Sequence, residues 1–463
     1  MSSKCGATRE DIYTLPIGEK WMLFSSYNMS SAMVNNTTVK HIAACLNDNE
    51  ITVPELVRNL YWMLTEEPVN HHAPEKFNKL VIIPTRSCNM RCVYCDFSAN
   101  GGSCNTLNPI LACRLIDATV EKLLLESSSI LRVHFFGGEP LVARQCIETI
   151  VHYARMVCSK KRLTPWFEIT TNGFFDSTAV PFIGDYIDNV VISIDGDEAL
   201  HDFNRRGKDG KGTYAAIAKN IRRLSKFPVE LSLRTCVTNR TVDSMPDIVS
   251  HFCSKFDFDQ LCFEMMTANE ASRNAGLDPP DPYCFAAGVL QAESMADRHD
   301  VRIVQGPSEL IGPRTTSCPV GRGTLMLTPE GTLTICYLET GRWLSHGIDP
   351  VVGRVDLASG TLINDKKFDS VSSFLKSKPR CVRCFCRYTC AGGCHIDQTF
   401  VGCSLDYDNR CLATRMISAG RLLRNLEGSE AVESLIGQPS SLRAIAENAD
   451  DRIMKWPFSN SLE

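Results

Sequence analysis

Residues 79–95 read KLVIIPTRSCNMRCVYC, and the change of character at Pro84 governs how the rest of the chain is read. The first part, 79–85, is a short apolar, β-branched run that predicts a strand. Immediately after it come Cys88, Cys92 and Cys95, spaced C-x3-C-x2-C. Thiolates suit iron–sulfur clusters and zinc. A structural zinc site wants four ligands, and this set supplies three close together. On a four-iron cluster, three cysteines leave one iron free for a small molecule. From spacing alone, zinc with a distant fourth ligand stays open.

Working outward, the pattern from 79 to about 305 is β then α, repeated. Strands are predicted at 79–85, 131–136, 166–171, 189–194, 230–237 and 260–265, with helical stretches between them such as 109–126 and 142–158. This alternation predicts an α/β fold with a parallel sheet, as a barrel or a doubly wound layer. In such folds functional groups collect past the C-terminal ends of strands. Cys88, the segment 137–140 (GGEP), Asn172-Gly173 and Asp195-Gly196 all sit just past predicted strands.

The companions of the cysteines narrow the chemistry. TRSCNMRCVYCDF (85–97) resembles the signature of the radical S-adenosylmethionine (SAM) superfamily. Gly137-Gly138-Glu139-Pro140, Thr171-Asn172-Gly173 and Ser193-Ile194-Asp195-Gly196 follow in matching order. His201-Asp202 with Arg205, then Gly212-Thr213-Tyr214, resembles the next segment of the peptide-modifying branch. The resemblance implies a partial (β/α)6 barrel whose four-iron cluster, on Cys88, Cys92 and Cys95, chelates S-adenosylmethionine. It implies that Gly137, Gly138 and Glu139 meet the methionine amine, that Ser193 and Asp195 lie at the level of the ribose, that Arg205 meets the carboxylate, and that Tyr94 packs on the adenine. An ammonium beside a carboxylate is sensible charge pairing. The implied chemistry is reductive cleavage to a 5′-deoxyadenosyl radical that removes a hydrogen atom from substrate, with the protein orienting the reactants and excluding water.

A second cysteine array lies towards the C-terminus. Cys318 is followed by twelve residues, Gly331, four more residues and Cys336; then come Cys381-x2-Cys384-x5-Cys390-x3-Cys394, with Cys403 and Cys411 behind. Alone, these cysteines also fit a zinc ribbon. After a radical SAM core they resemble the SPASM extension, which houses auxiliary four-iron clusters. Residue by residue, the resemblance implies one cluster on Cys318, Cys336 and Cys394 and another on Cys381, Cys384, Cys390 and Cys411, making three clusters in all. The fourth ligand of the first auxiliary cluster is undefined, with Cys403 and Cys386 as candidates and an open iron as the alternative. Cys386, inside the x5 spacer, is expected to be a buried or free thiol. Related sulfatase-maturing enzymes have a basic aspartate directly after the G-x4-C cysteine, whereas here that position is Tyr337. This departure counts against formylglycine chemistry.

Bulk properties bound the reading. The 463 residues are 44% apolar and 22% charged with a net charge of −4, so no global basic field points to nucleic acid. No signal peptide and no apolar run of about 18 residues is seen, which excludes a sequence-evident membrane span and points to a cytoplasmic location. In such a compartment the 22 cysteines are better explained by metal ligation than by disulfides.

The organisation expected is a small α+β module over 1–75 that loosely resembles leader-recognition modules, a core barrel over 76–305, the cysteine domain over 306–415, and a helix and tail over 416–463. Residues 20–35 suit short strands, 38–48 and 53–65 helices, and 66–76 a linker. The leading expectation is a maturase that crosslinks (thioether, C–C or C–O) a ribosomally made precursor peptide bearing a leader, served by a flavodoxin- or ferredoxin-type reductant. The alternatives are a maturase of a larger protein, such as a sulfatase or amine dehydrogenase, and an electron-transfer or structural iron–sulfur protein. Substrate, modified residue, bond type and oligomeric state are not legible.

Overall fold

The structure is a computed structural model that describes residues 11–47, 53–66, 79–95, 97, 105–314, 323–338, 340–358, 360–364, 366–367, 369, 371, 379–394, 396, 407–448 and 450–453. The N-terminal module is an antiparallel sheet of β1 (Ile12–Ile17), β2 (Lys20–Ser25) and β3 (Ser31–Val34), followed by helices Asn36–Asn47 and Glu55–Thr65. Strand β1 was not anticipated, because Pro16 interrupts its apolar run. The alternation of side chains buries both faces of this sheet. Ile12 and Leu23 pack with Val39, Ile42, Val57 and Leu64 of the two helices. Tyr13, Leu15, Met22 and Phe24 turn the other way, into the main core. The linker expected at 66–76 lies, after residue 66, outside the described residues.

All six expected strands form: β4 (Lys79–Ile82), β6 (Ile130–Phe135), β7 (Thr164–Thr171), β8 (Asn189–Ser193), β10 (Glu230–Val237) and β11 (Gln260–Met265). They are parallel neighbours in that order, and β12 (Arg302–Val304) continues the series. Two short strands, β5 (Met90–Cys92) and β9 (Arg205–Gly207), pair with each other instead. On the far side β13 (Thr324–Leu327) runs parallel to β4 and starts a meander through β14 (Thr332–Thr334), β15 (Val351–Asp356) and β16 (Gly360–Ile363). The hairpin expected to turn at 329–331 forms as β13–β14, and through β4 it continues the parallel sheet. Among the described residues the sheet is open, ending at β12 and β16.

The pleat explains the site. Along β6, Leu131, Val133 and Phe135 are buried, whereas the alternate residue His134 faces a cavity. Along β10, Leu231, Leu233, Thr235 and Val237 are buried and Arg234 and Cys236 face that cavity. The convex side is thus sealed under helices such as Pro109–Leu125 and Arg144–Lys161. The concave side keeps polar groups, as a binding site requires rather than a packed barrel core.

The C-terminal part is more helical than its polar composition suggests. Asn409–Glu427 crosses the boundary expected at 415, and Ser429–Ile436 and Pro439–Glu447 follow it. No helix among the described residues is long and apolar enough to cross a membrane.

Candidate active site and cysteine sets

Cys88, Cys92 and Cys95 line one side of a cavity of about 580 Å³ at the C-terminal ends of the parallel strands. Their loop is held from several directions. Gly138 N–H bonds to Thr85 O at 3.2 Å and Glu139 N–H to Ser87 O at 2.8 Å. A Cβ on Gly138 would meet Arg86 O at 2.3 Å and Ser87 O at 2.4 Å. The glycine pair thus lets the backbone of one strand end touch that of the cysteine loop. The Met90 N–H points at Cys88 Sγ at 3.4 Å, and Asn172 Nδ2 lies 3.6 Å from the same sulfur. Burial pushes the Cys92 thiol up to about 12 and raises Cys88 as well. Bound metal would overturn that balance, since coordination needs thiolates.

The strand ends carry two hydrogen-bonded groups behind the cavity wall, one around Glu139 and one around Asp195. Glu139 accepts from Thr171 Oγ1 at 2.8 Å and from the N–H groups of Asn172 at 2.7 Å and Leu141 at 3.0 Å. Burial nevertheless pushes its carboxyl up to about 7. Asp195 is fully buried and accepts from Arg205 Nε at 3.0 Å, Cys236 N–H at 3.1 Å and the Tyr94 hydroxyl. The Asp195 N–H lies 3.3 Å from His201 Nδ1, whose Nε2 is 3.0 Å from Thr213 Oγ1; that hydroxyl donates to Arg205 O at 2.7 Å. Burial lowers His201 to about 4, so the ring is neutral. With Nδ1 accepting, Nε2 carries the proton.

Of the residues assigned to SAM, Tyr94, Gly137, Gly138, Ser193 and Arg205 line the cavity. Glu139 and Asp195 sit behind it, with their carboxylates occupied by the protein's own donors.

A second cavity of about 590 Å³ shares walls with the first through Tyr94, Cys236, Glu264 and Tyr337, and is also lined by Cys336 and Cys394. Its floor is charged. Arg234 Nη2 is 3.4 Å from Glu264, and Lys79 Nζ is 3.6 Å from Glu168. His134 lies 2.9 Å from Thr170 Oγ1; burial, reinforced by Lys79 and Arg234, lowers it to about 3. Tyr337 retains 46% of its surface and faces this space, with its ring 5.1 Å from that of Phe136.

The remaining array converges elsewhere. Cys381, Cys384, Cys390 and Cys411 surround a small internal space, and Cys386, not expected there, joins them. The chain curls around this space at Gly392 and Gly393, with φ of 90° and 59°. Cys411 enters from the first turn of Asn409–Glu427, where the Asp408 side chain caps its N–H at 2.9 Å. Cys318 and Cys403 lie outside the described residues. Among the described residues no three His, Cys, Asp or Glu side chains are grouped as a single metal ion would need.

The sequence profile described as the Radical SAM superfamily matches residues 82–251, the span from β4 through the helix Met245–Lys255. The chain carries a radical SAM domain. A cysteine-type anaerobic sulfatase-maturating enzyme of Clostridium perfringens strain 13 is 25% identical over 334 residues, covering 68% of this chain and 88% of that protein. Among solved structures, native anSMEcpe with bound AdoMet and Kp18Cys peptide superposes with a TM-score of 0.60 at 21% identity, over 75% of this chain and 98% of that one. Streptococcus suis SuiB bound to precursor peptide SuiA gives 0.50 at 14% identity, over 85% and 96%. At these identities the superpositions establish a shared fold.

A radical SAM domain implies S-adenosylmethionine and a four-iron cluster, and the residues present fit both. Three thiols line an open cavity together with both glycines, whose lack of side chains lets the strand end pack directly on the cysteine loop. Some positions carried no sequence signal. The cavity-facing polar residues His134, Arg234 and Glu264 became visible only through strand register. Arg415 had a faint signal, since it follows Cys411 by four residues on a helix and so shares its face.

Proposed function

We propose that this protein is a radical SAM maturase that abstracts a hydrogen atom from a ribosomally made precursor peptide and installs a crosslink in it. One observation supports the reading above others: the cavity beside Cys88, Cys92 and Cys95 shares walls with a second of about 590 Å³ that Cys336 and Cys394 also line. That space suits a peptide side chain held between two cysteine sets. When bound, the cluster and S-adenosylmethionine supply the 5′-deoxyadenosyl radical that takes the hydrogen atom. This chain's own groups define where it is delivered. Gly137, Gly138, Ser193, Arg205 and Tyr94 bind the cofactor side, Asp195 holds Arg205 and Tyr94 in position, and Tyr337, Phe136 and Cys236 wall the passage to substrate.

The ligand sets proposed are Cys88, Cys92 and Cys95 for the SAM cluster; Cys318, Cys336 and Cys394 for the first auxiliary cluster; and Cys381, Cys384, Cys390 and Cys411 for the second. The N-terminal sheet supports leader capture. Strand β1 is covered by the C-terminal segment, with Thr14 N–H bonded to Asp451 O at 2.8 Å, while β3 is the opposite outer strand. Next to the β2–β3 turn, Asn28 bonds to Met63 O at 2.9 Å at the end of a helix that exposes Leu56 and Trp62. An extended leader could add to β3 against that apolar flank.

The similarity to a sulfatase-maturating enzyme favours a second reading, maturation of a sulfatase-type protein; Tyr337 in the aspartate position counts against it. Anaerobic co-expression with candidate short precursor peptides from neighbouring open reading frames, followed by mass spectrometry, tests the leading reading. A loss of two hydrogens per crosslink is expected. An unchanged peptide from enzyme that still produces 5′-deoxyadenosine overturns it, and absence of 5′-deoxyadenosine altogether favours an electron-transfer protein.

A further inference from the structure

We propose that Arg415 is a positioning residue that raises the reduction potential of the cluster expected on Cys381, Cys384, Cys390 and Cys411, by donating a charged hydrogen bond to the Cys384 sulfur. The inference rests on that ligand assignment. Arg415 Nη1 lies 3.3 Å from Cys384 Sγ. The residue is 1% exposed. Three further bonds tie it to backbone: Nε to Ala446 O at 2.9 Å, and Nη2 to Ile445 O at 2.7 Å and Asn448 O at 3.0 Å. Its guanidinium carbon lies 4.2 Å from the Tyr407 ring centroid and 5.1 Å from that of Phe385. These contacts fix the fork so that the remaining edge is aimed at one sulfur.

Arginine is suited to this place, because its planar fork stays charged when buried and serves several acceptors at once. Adding an electron to a cluster adds negative charge, and a cation held against a ligand sulfur favours that state. The effect is large where dielectric screening is weak. Asp451, fully buried, sits 2.7 Å from Arg415 Nη2 and opposes it. The two residues therefore make a matched pair of opposite sign beside the cysteine set. A purely structural role would make loss of either residue act in the same direction, whereas an electrostatic role makes them act oppositely.

The test uses full-length reconstituted protein carrying Cys88→Ala, Cys92→Ala and Cys95→Ala, so that only auxiliary clusters report. EPR-monitored redox titration is run at pH 8.5, above the value of about 7 to which burial pushes Asp451, with iron and sulfide measured on the same samples. Arg415→Gln is expected to disfavour reduction of one cluster tenfold or more, about 59 mV for a one-electron couple, with the other unchanged. Asp451→Asn is expected to shift the same midpoint upward, and Arg415→Lys to shift it less than Arg415→Gln does. Unchanged midpoints at full iron content, or shifts of one sign in both Arg415→Gln and Asp451→Asn, overturn the proposal. Should Arg415→Gln fail to fold, Arg415→Lys and Asp451→Asn still carry the sign test. Failure of the ligand assignment reads differently: Cys381→Ala and Cys411→Ala would then leave the iron content untouched.

Discussion

The Asp195 carboxylate and the Arg205 guanidinium are ion-paired at 3.0 Å in the interior, at the junction of β8, β9 and the cysteine loop. Arg205 also lies 5.4 Å from the Tyr94 ring centroid, and Tyr94 itself donates to Asp195. One carboxylate thus holds a cation, a loop aromatic and the Cys236 N–H of β10. Removing one member of a buried pair leaves the other uncompensated, which costs about 3–5 kcal/mol. Asp195→Asn and Arg205→Met are each expected to destabilise by that order in urea unfolding. The double variant should cost clearly less than the sum. Strict additivity would show that the pair does not act as a unit.

Gly138 controls the cysteine loop by what it lacks. A methyl group there would press on two backbone oxygens of residues 86 and 87, and neither can move aside as a flexible side chain would. Gly138→Ala is therefore expected to displace the loop and lose the cluster proposed on Cys88, Cys92 and Cys95 while sparing those proposed on the C-terminal cysteines. Iron analysis should fall by about four per chain, with 5′-deoxyadenosine formation abolished. Full iron and unimpaired cofactor cleavage would refute this.

How much of this was legible beforehand depended on the physics of each feature. The parallel strands were readable because β-branched runs alternate with helical spacing, and all six formed. Glu139, Thr171, Asp195 and Arg205 are visible as motifs, but their pairing as Glu139 with Thr171 and Asp195 with Arg205 is not. The resemblance implies that both carboxylates reach the ligand; the structure adds that Glu139 accepts from Thr171, Asn172 and Leu141, and Asp195 from Arg205, Tyr94 and Cys236. Strand β1 was missed because a proline in an outer strand loses no hydrogen bond. The continuity of β13 with β4 had no local signal, since strand pairing between residues some 245 apart leaves no periodicity. Cys386 is the buried thiol that its place in the x5 spacer suggests, and folding brings it to the same space as its neighbours.

His201 supplies a pH dependence of defined sign. Its ring is neutral and bonded on both nitrogens, with its pKa lowered from 6.5 to about 4. Below 6.5 the unfolded chain binds a proton that the folded chain refuses, so stability falls as pH drops from about 6.5 towards 4. The contribution is fully present above that window and amounts to at most about 3 kcal/mol at 1.36 kcal/mol per unit. His201→Gln should flatten this part of the stability profile while lowering stability near pH 7. An unchanged slope between pH 4 and 6.5 would mean that His201 is not the group responsible.

Cluster count distinguishes the cysteine assignments most directly. Three four-iron clusters require about twelve irons per chain, and Cys88→Ala, Cys92→Ala and Cys95→Ala together should leave about eight. The same triple variant should form no 5′-deoxyadenosine. Cys386 is the informative control, because it lines the space shared by Cys381, Cys384, Cys390 and Cys411 and yet exceeds the four ligands a cubane takes. Cys386→Ala is expected to keep full iron, with at most a modest loss of stability from removing a small buried thiol. If it instead lost about four irons while Cys390→Ala lost none, Cys386 would be the ligand and Cys390 the bystander. The run 381–394 would then need to be read in a different register.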